Sequence, residues 1–289
     1  MSFAGETVAA REIDFLTKPA PKQPRRRFMS RRPRAWRLTI LVLGGLFYLV
    51  PLLSSIKFSL IDASGRYSFS NYTAIVSSSA LRGALILSLE ISAVTAVLVI
   101  LLVLPTAVLV RLKLPKWTIV MEVITILPIV VPPIVLAAGL SDMQANAPLW
   151  MVKLFFNHPL TCLAPIYTVM AMPLVYRSVD NGLRAIDLHT LVDASRSLGS
   201  GWTSTLLRVI LPNVQTAVLG GMFLTIAMVL GEVVIASTML YNTFPNQMIL
   251  TAQQDNAPGI SVAETLVALL FTFLLLFSLT FLSRRRGLK

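Results

Sequence analysis

The stretch Leu191-Val192-Asp193-Ala194-Ser195-Arg196-Ser197-Leu198-Gly199-Ser200-Gly201-Trp202, which runs on to Val209-Ile210-Leu211-Pro212, is a polar island between two apolar runs. Asp187, just upstream, has the side chain of a helix N-cap, because its carboxylate can accept from free backbone N–H groups one turn further on. Gly199 suits the position just past a helix end, where a left-handed residue is often needed. Leu188, Leu191, Val192 and Ser195 fall at helical spacing, which leaves His189, Asp193 and Arg196 on the opposite face. The pattern predicts a short helix from Leu188 to Leu198, then a second amphipathic helix stopped by Pro212. The residues on either side are hydrophobic enough to sit in lipid, so the island is a compact knob that a partner can hold.

Composition supports a membrane setting. The 289 residues are 55% hydrophobic and 13% charged, with a mean hydropathy of +0.76. A soluble domain carries about a quarter charged residues. Apolar runs recur near the ~20 residues needed to cross a bilayer. They predict an all-α polytopic membrane protein with six spans: Leu38 to Leu60, Leu81 to Val110, Thr118 to Leu140, Thr161 to Val179, Val214 to Leu240 and Val262 to Leu282. Residues 1–36 read as a basic, disordered cytoplasmic tail, 37–283 as the six-span domain with a segment at 187–212 facing the cytoplasm, and 284–289 as a second basic tail. The polar leader and the full-length apolar run behind it differ from a cleavable signal peptide.

The net charge of +12 does not point to nucleic acid, because the basic residues cluster beside the spans, where they set orientation. With the amino terminus inside, the inner segments hold Arg25, Arg26, Arg27 and the other basic residues of the leader. They also hold Arg111, Lys113, Lys116, Arg177, Arg184, Arg196, Arg208, Arg284, Arg285, Arg286 and Lys289. The outer side keeps Lys57, Arg66, Arg82 and Lys153. Six spans return the carboxyl terminus to the same side, so both termini and the island are expected in the cytoplasm. The leader is also suited to anionic lipid head groups. The outer loops, Asp62 to Ser79, Ser141 to Leu160 and Tyr241 to Ser261, are too short to fold as domains.

The chain reads as a conduit. It has no phosphate-binding G-x-x-x-x-G-K-[ST] loop, no H-E-x-x-H and no G-x-S-x-G. The single cysteine, Cys162, excludes an internal disulfide, and no Cys/His spacing suits a metal. Intramembrane carboxylates are costly and face protein interior or water. Glu232 and Glu90 are therefore the candidates for lining a route, each with packing against a neighbouring helix as the plainer alternative. Ser88, Ser92 and Thr95 are the expected partners of Glu90. Glu122 and Glu264 lie near span ends, where interfacial solvation accounts for them. Pro128, Pro132 and Pro133 break the third span, either for packing or to line a pathway. Gly220 and Gly221 allow a close helix approach.

The island resembles the cytoplasmic signature of bacterial ABC importer permeases: Glu-Ala-Ala, three residues, Gly, nine residues, then Ile-x-Leu-Pro. Asp193-Ala194-Ser195 stands at the triplet, Gly199 at the glycine, and Val209-Ile210-Leu211-Pro212 at the close. The general likeness extends over roughly residues 37 to 283. The resemblance implies a type I six-span permease in the bacterial inner membrane. By that likeness Leu191, Asp193, Ala194, Ser195, Leu198, Gly199, Leu211 and Pro212 belong to a coupling helix seated on an ATP-hydrolysing subunit. It implies a second permease, homologous or identical, two ATP-binding subunits that carry ATP and Mg, and an extracytoplasmic solute-binding protein, with no cofactor in this chain. The surroundings of Glu232 and the stretch Tyr241 to Gly259 are similar to permeases of the polyamine, iron and small-solute group. The alternative function is an ion-gradient-driven secondary transporter or channel that uses Glu232 or Glu90.

Overall fold

A computed structural model of the chain describes residues 34–62, 64–253 and 258–286. Most of the two predicted tails, residues 1–33 and 287–289, lies outside them. The helices are α1 (Arg34–Ser59), α2 (Ser70–Ser77), α3 (Ser79–Lys113), α4 (Thr118–Val130) and α5 (Pro133–Asn146). They continue with α6 (Pro159–Arg184), α7 (Leu188–Ser197), α8 (Trp202–Asn213, with a π-turn at Leu206–Ile210) and α9 (Gln215–Gly231). The last three are α10 (Val234–Thr238), α11 (Phe244–Ala252) and α12 (Pro258–Arg286). The protein is all-α, as its composition requires. In lipid, every backbone polar group must be satisfied within the segment, and a helix does this.

By packing, the chain divides into Met1–Pro51 and Leu52–Lys289. The described part of the first is the start of α1, whose stretch Trp36–Ser59 is long and apolar enough to cross a membrane. In the second, Ser79–Lys113 and Pro159–Arg184 meet the same condition. Helices α3, α6 and α9 pack on one another and carry the core. One half of that core joins Val99, Val103 and Val108 of α3 to Val175, Val179 and Leu183 of α6 and Val218 of α9. The other gathers Ile91, Leu163, Tyr167, Val229, Ile235 and Ala236.

Two predicted spans are not single straight helices. The third is the pair Pro115–Val130 and Pro133–Asn146, bent by 83°. The cause is local. Val131 and Pro132 each precede a proline, which pushes them out of the helical region, and they sit at ψ 119° and 137°. Pro133 then opens α5, where its missing N–H is no loss. The fifth predicted span, Val214 to Leu240, stops as a helix at Gly231, turns at Glu232 and Val233, and resumes as α10. Among the described residues there are three helices of spanning length, or up to five spans if the bent pairs Pro115–Val130 with Pro133–Asn146 and Trp202–Asn213 with Gln215–Gly231 each count as one. The sixth prediction falls on α12, where Gly259–Leu274 is apolar. The predicted outer loops contain helix α2, the end of α5 and helix α11.

The close approach expected of Gly220 and Gly221 is made to α6. A Cβ on Gly221 would stand 3.3 Å from Val175, and one on Gly220 would stand 3.4 Å from Ser178 Oγ. Ser178 Oγ donates to Ala217 O at 2.7 Å, which fixes the crossing.

Helix α10 ends in an unusual way. Leu240 N–H bonds Ser237 O at 3.1 Å and Tyr241 N–H bonds Ala236 O at 2.9 Å. This is the paired closure that normally places glycine at the left-handed site, yet Leu240 stands there at φ 59°, almost fully exposed. A left-handed L-residue costs about 1–2 kcal/mol. Leu240→Gly is therefore expected to stabilise the fold by about 1 kcal/mol, read as a higher unfolding temperature in detergent.

Candidate functional site

The knob is α7, and its start is the one expected of Asp187. The carboxylate accepts from Thr190 N–H at 3.3 Å and from the Thr190 hydroxyl at 2.7 Å. Those two bonds, the hydroxyl first, hold the Asp187 carboxyl below its ordinary range. A depressed carboxyl contributes stability above its unfolded value, ~3.9, and loses it as pH falls through the folded value. The start of α7 is thus expected to keep its order through neutral pH and to fray only in acid below the ordinary Asp range. Asp187→Asn should remove that acid step, and a spin label at Ser197 reads both.

The end of α7 is closed at Gly199. Gly199 N–H bonds Arg196 O at 2.9 Å and Ser200 N–H bonds Ser195 O at 3.2 Å. Both bonds need a left-handed residue between them, and Gly199 has φ 82°. This geometry explains the glycine of the signature.

The side chains of α7 sort into two faces. Leu188 and Val192 are buried and join the core formed by α3, α6 and the helices that follow. Ser195 is buried too, and its Oγ shares a hydrogen bond with Thr205 Oγ1 at 2.9 Å, which locks α7 to α8. Leu191 is half-buried. The apolar face is therefore turned toward the spans. The surface left outward is His189, Thr190, Asp193, Ala194, Arg196, Ser197 and Leu198, with Leu198 87% exposed.

Past the knob, α8 does not stop at Pro212. It runs on to Asn213, because the missing N–H of Pro212 is accommodated by the preceding π-turn, in which Leu211 N–H reaches Leu206 O. Leu211 is half-buried and Pro212 exposed. Asn213 Nδ2 donates to Val209 O at 2.7 Å at the broken end. The chain then bends by 83° into α9. Knob, elbow and span form one continuous run of packed residues through Ile210, Val214 and Val218.

Next to the knob in sequence lies a charged cluster that pattern reading passed over. Asp180 of α6 accepts from Arg111 Nε of α3 at 2.7 Å and from Arg184 Nε at 2.9 Å. Arg184 also faces Glu122 near the start of α4 at 3.7 Å. Glu122 is thus paired while its side chain stays half-exposed. The available signal was Asp180 with Arg184 four residues on, a helix-face pair inside a run of spanning length.

The two candidate route carboxylates differ. Glu232 is 9% exposed. Its Oε1 accepts from Ile235 N–H at 2.9 Å and its Oε2 accepts from the Tyr167 hydroxyl at 2.5 Å. It thus supplies the first-turn acceptor of α10 and ties the break to α6. Glu90 is exposed on α3, with no hydrogen bond or ion pair among the described residues. The hydroxyls expected to hold it do not. Ser88 Oγ accepts from Phe244 N–H at 2.8 Å and Ser92 Oγ donates to Ser88 O at 2.6 Å. Ser88, Ser92 and Thr95 are buried on the other side of the helix. Glu264, assigned to interfacial water by its place near a span end, is fully buried.

Residues 105–287, more than half of the chain, match the family described as binding-protein-dependent transport system inner membrane component. The chain belongs to this family. It is a type I ABC importer permease and a multi-pass inner membrane protein. The matched range takes in most of the core as well as the knob, the elbow and α12. Among curated proteins, nothing matches the chain. A transport component works with other subunits.

Proposed function

We propose that this permease forms half of a solute route and receives the force that opens it through α7, seated on a separate ATP-binding subunit in the cytoplasm. The observation that carries the reading is the division of α7 into two faces. The buried face is continuous with the core and with the elbow into α9, so a push on the knob is passed to a span instead of being absorbed. The outward face, Asp193, Ala194 and Leu198 with their neighbours, is free to enter a groove. Ser195 from the buried side, and Gly199, Leu211 and Pro212 at the turns, act as the joints that keep the face in place.

On this reading two ATP-binding subunits hold ATP and Mg, a second permease completes the route, and an external binding protein delivers the solute. The switch between inward and outward states follows differential binding of ATP and loaded receptor. Both termini lie in the cytoplasm, on the side where the charge bias puts the knob. The solute is a small cation of the polyamine class. Support for that class comes from Glu90, a carboxylate open on the flank of a spanning helix. Glu232, with both oxygens engaged, serves the hinge between α9 and α10.

The test is retention of the ATP-binding subunit in mild detergent. Ala194→Arg combined with Leu198→Asp alters only outward positions. Loss of a central contact of this kind is worth about 2 kcal/mol or more, roughly a 30-fold weaker complex at full membrane expression. Retention at the wild-type level would sink the docking surface.

A further inference from the structure

The knob ends of α4 and α6 enclose a cavity of about 350 Å³, lined by Glu122 and Thr125 of α4 and by Tyr176, Arg177, Asn181 and Arg184 of α6. Small-molecule pockets span ~300–1,000 Å³, so the space suits a small ligand. Arg177, Asn181 and Arg184 fall at i, i+4 and i+7, and Glu122 and Thr125 at i and i+3. Each helix therefore presents one stripe to the space. Asp180 borders it too, but its two oxygens are taken by Arg111 and Arg184, so its charge is already answered.

The other groups are unused. Tyr176 is only 3% exposed, yet its hydroxyl makes no hydrogen bond among the described residues. A buried hydroxyl normally has a partner. Arg177 and Asn181 make no hydrogen bond or ion pair among the described residues either. Arg184 gives its Nε to Asp180 at 2.9 Å, but its terminal nitrogen stands 3.7 Å from Glu122, which is longer than a hydrogen bond. Thr125 Oγ1 donates to Met121 O at 2.8 Å and can still accept. The α6 stripe is thus rich in free donors, and the α4 stripe keeps a carboxylate that no donor has reached. The bias of basic residues toward one membrane side accounts for two arginines at this end. It does not account for a buried hydroxyl without a partner, nor for the carboxylate on the facing stripe.

We propose that this cavity binds a small zwitterion, an oxyanion joined to a primary ammonium. The fork of Arg177 takes the oxyanion, as guanidinium groups do with carboxylate and phosphate. The terminal N–H groups of Arg184, the Asn181 amide and the Tyr176 hydroxyl add donors. Glu122 takes the ammonium from the facing helix, with Thr125 Oγ1 as a second acceptor. A bare anion would bring Glu122 a like charge, and a bare cation would face two guanidinium groups. The ligand bridges α4 to α6, whose one ion pair among the described residues is the 3.7 Å contact. This chemistry has two sources, the headgroup of phosphatidylethanolamine and a free molecule of the phosphoethanolamine kind. The site is distinct from the outward face of α7 and does not depend on which solute the route carries.

Two arms on the full-length chain in detergent test the site. Native mass spectrometry after equilibration with equal phosphatidylethanolamine and phosphatidylglycerol reads the lipid source. Calorimetric titration with O-phosphoethanolamine, with inorganic phosphate and ethanolamine as separate controls, reads the soluble one. The expected result is preferential retention of phosphatidylethanolamine, or saturable O-phosphoethanolamine binding about tenfold tighter than either control. Arg177→Gln and Glu122→Gln should each weaken whichever binding is seen by about tenfold or more, the share of a hydrogen bond to a charged group. Tyr176→Phe should weaken it less. Unfolding temperatures without ligand check that the variants fold. Binding in the first arm alone assigns the ligand to the membrane, and binding in the second assigns it to solution. No binding in either arm, or binding that Arg177→Gln and Glu122→Gln both leave unchanged, would overturn the site. Inorganic phosphate bound as tightly as O-phosphoethanolamine, with Glu122→Gln silent, would overturn the zwitterion.

Discussion

Glu232→Leu is expected to lower the stability of the permease by about 2–5 kcal/mol. The carboxylate answers two buried donors, the backbone N–H of Ile235 and the hydroxyl of Tyr167. Leucine fills the same space and answers neither. A buried donor left without an acceptor costs about 1–3 kcal/mol, and here two are stranded at the break between α9 and α10. Glu232→Gln keeps one carbonyl for Ile235 N–H, and the Tyr167 hydroxyl can turn to accept from the new amide. That variant should stay within about 1 kcal/mol of wild type, the scale of one ordinary hydrogen bond. Thermal unfolding in detergent separates the two. Solute uptake by the reconstituted complex adds a second reading. A slower rate for Glu232→Gln at unchanged stability ties the carboxylate to transport, and an unchanged rate confines it to the hinge.

Asp180→Ala is the second large change. Asp180 is nearly buried and stands between Arg111 and Arg184. Removing it leaves two guanidinium groups facing each other at the junction of α3 and α6. Breaking a buried ion pair costs about 3–5 kcal/mol. Both arginines retain some contact with solvent, most of all Arg184, so the expected loss is about 2–3 kcal/mol. Added salt should shrink the difference, since partly exposed charges are screened. Asp180→Asn, which keeps an acceptor, should lose about half as much. The same unfolding temperature in low and high salt reads all three. A salt-independent loss would mean that Asp180 acts through packing.

Much of the knob was legible without coordinates. The N-cap at Asp187, the helix that follows and the left-handed Gly199 depend on contacts within a turn or two, and residue type at short spacing encodes them. The side to which each α7 residue turns was only half legible. Periodicity separates Leu188, Val192 and Ser195 from Asp193 and Arg196, but it does not say that the apolar face belongs to the spans. Burial against α3, α6 and α8 decided that, and with it the outward role of Ala194 and Leu198.

The all-α membrane class, the approximate positions of the apolar runs and the proline break near Val131 followed from composition and local sterics alone. Those quantities are sums over neighbouring residues and need no partner. The break at Glu232, the triad of Arg111, Asp180 and Arg184, the separation of Glu90 from Ser88 and Ser92, and the burial of Glu264 were invisible until the chain was packed. Each turns on a group that arrives from a distant helix, or on the absence of one. A hydropathy profile scores a buried carboxylate and a solvated one alike. Only the neighbours brought by α6 and α11 tell which oxygen has a donor and which has none.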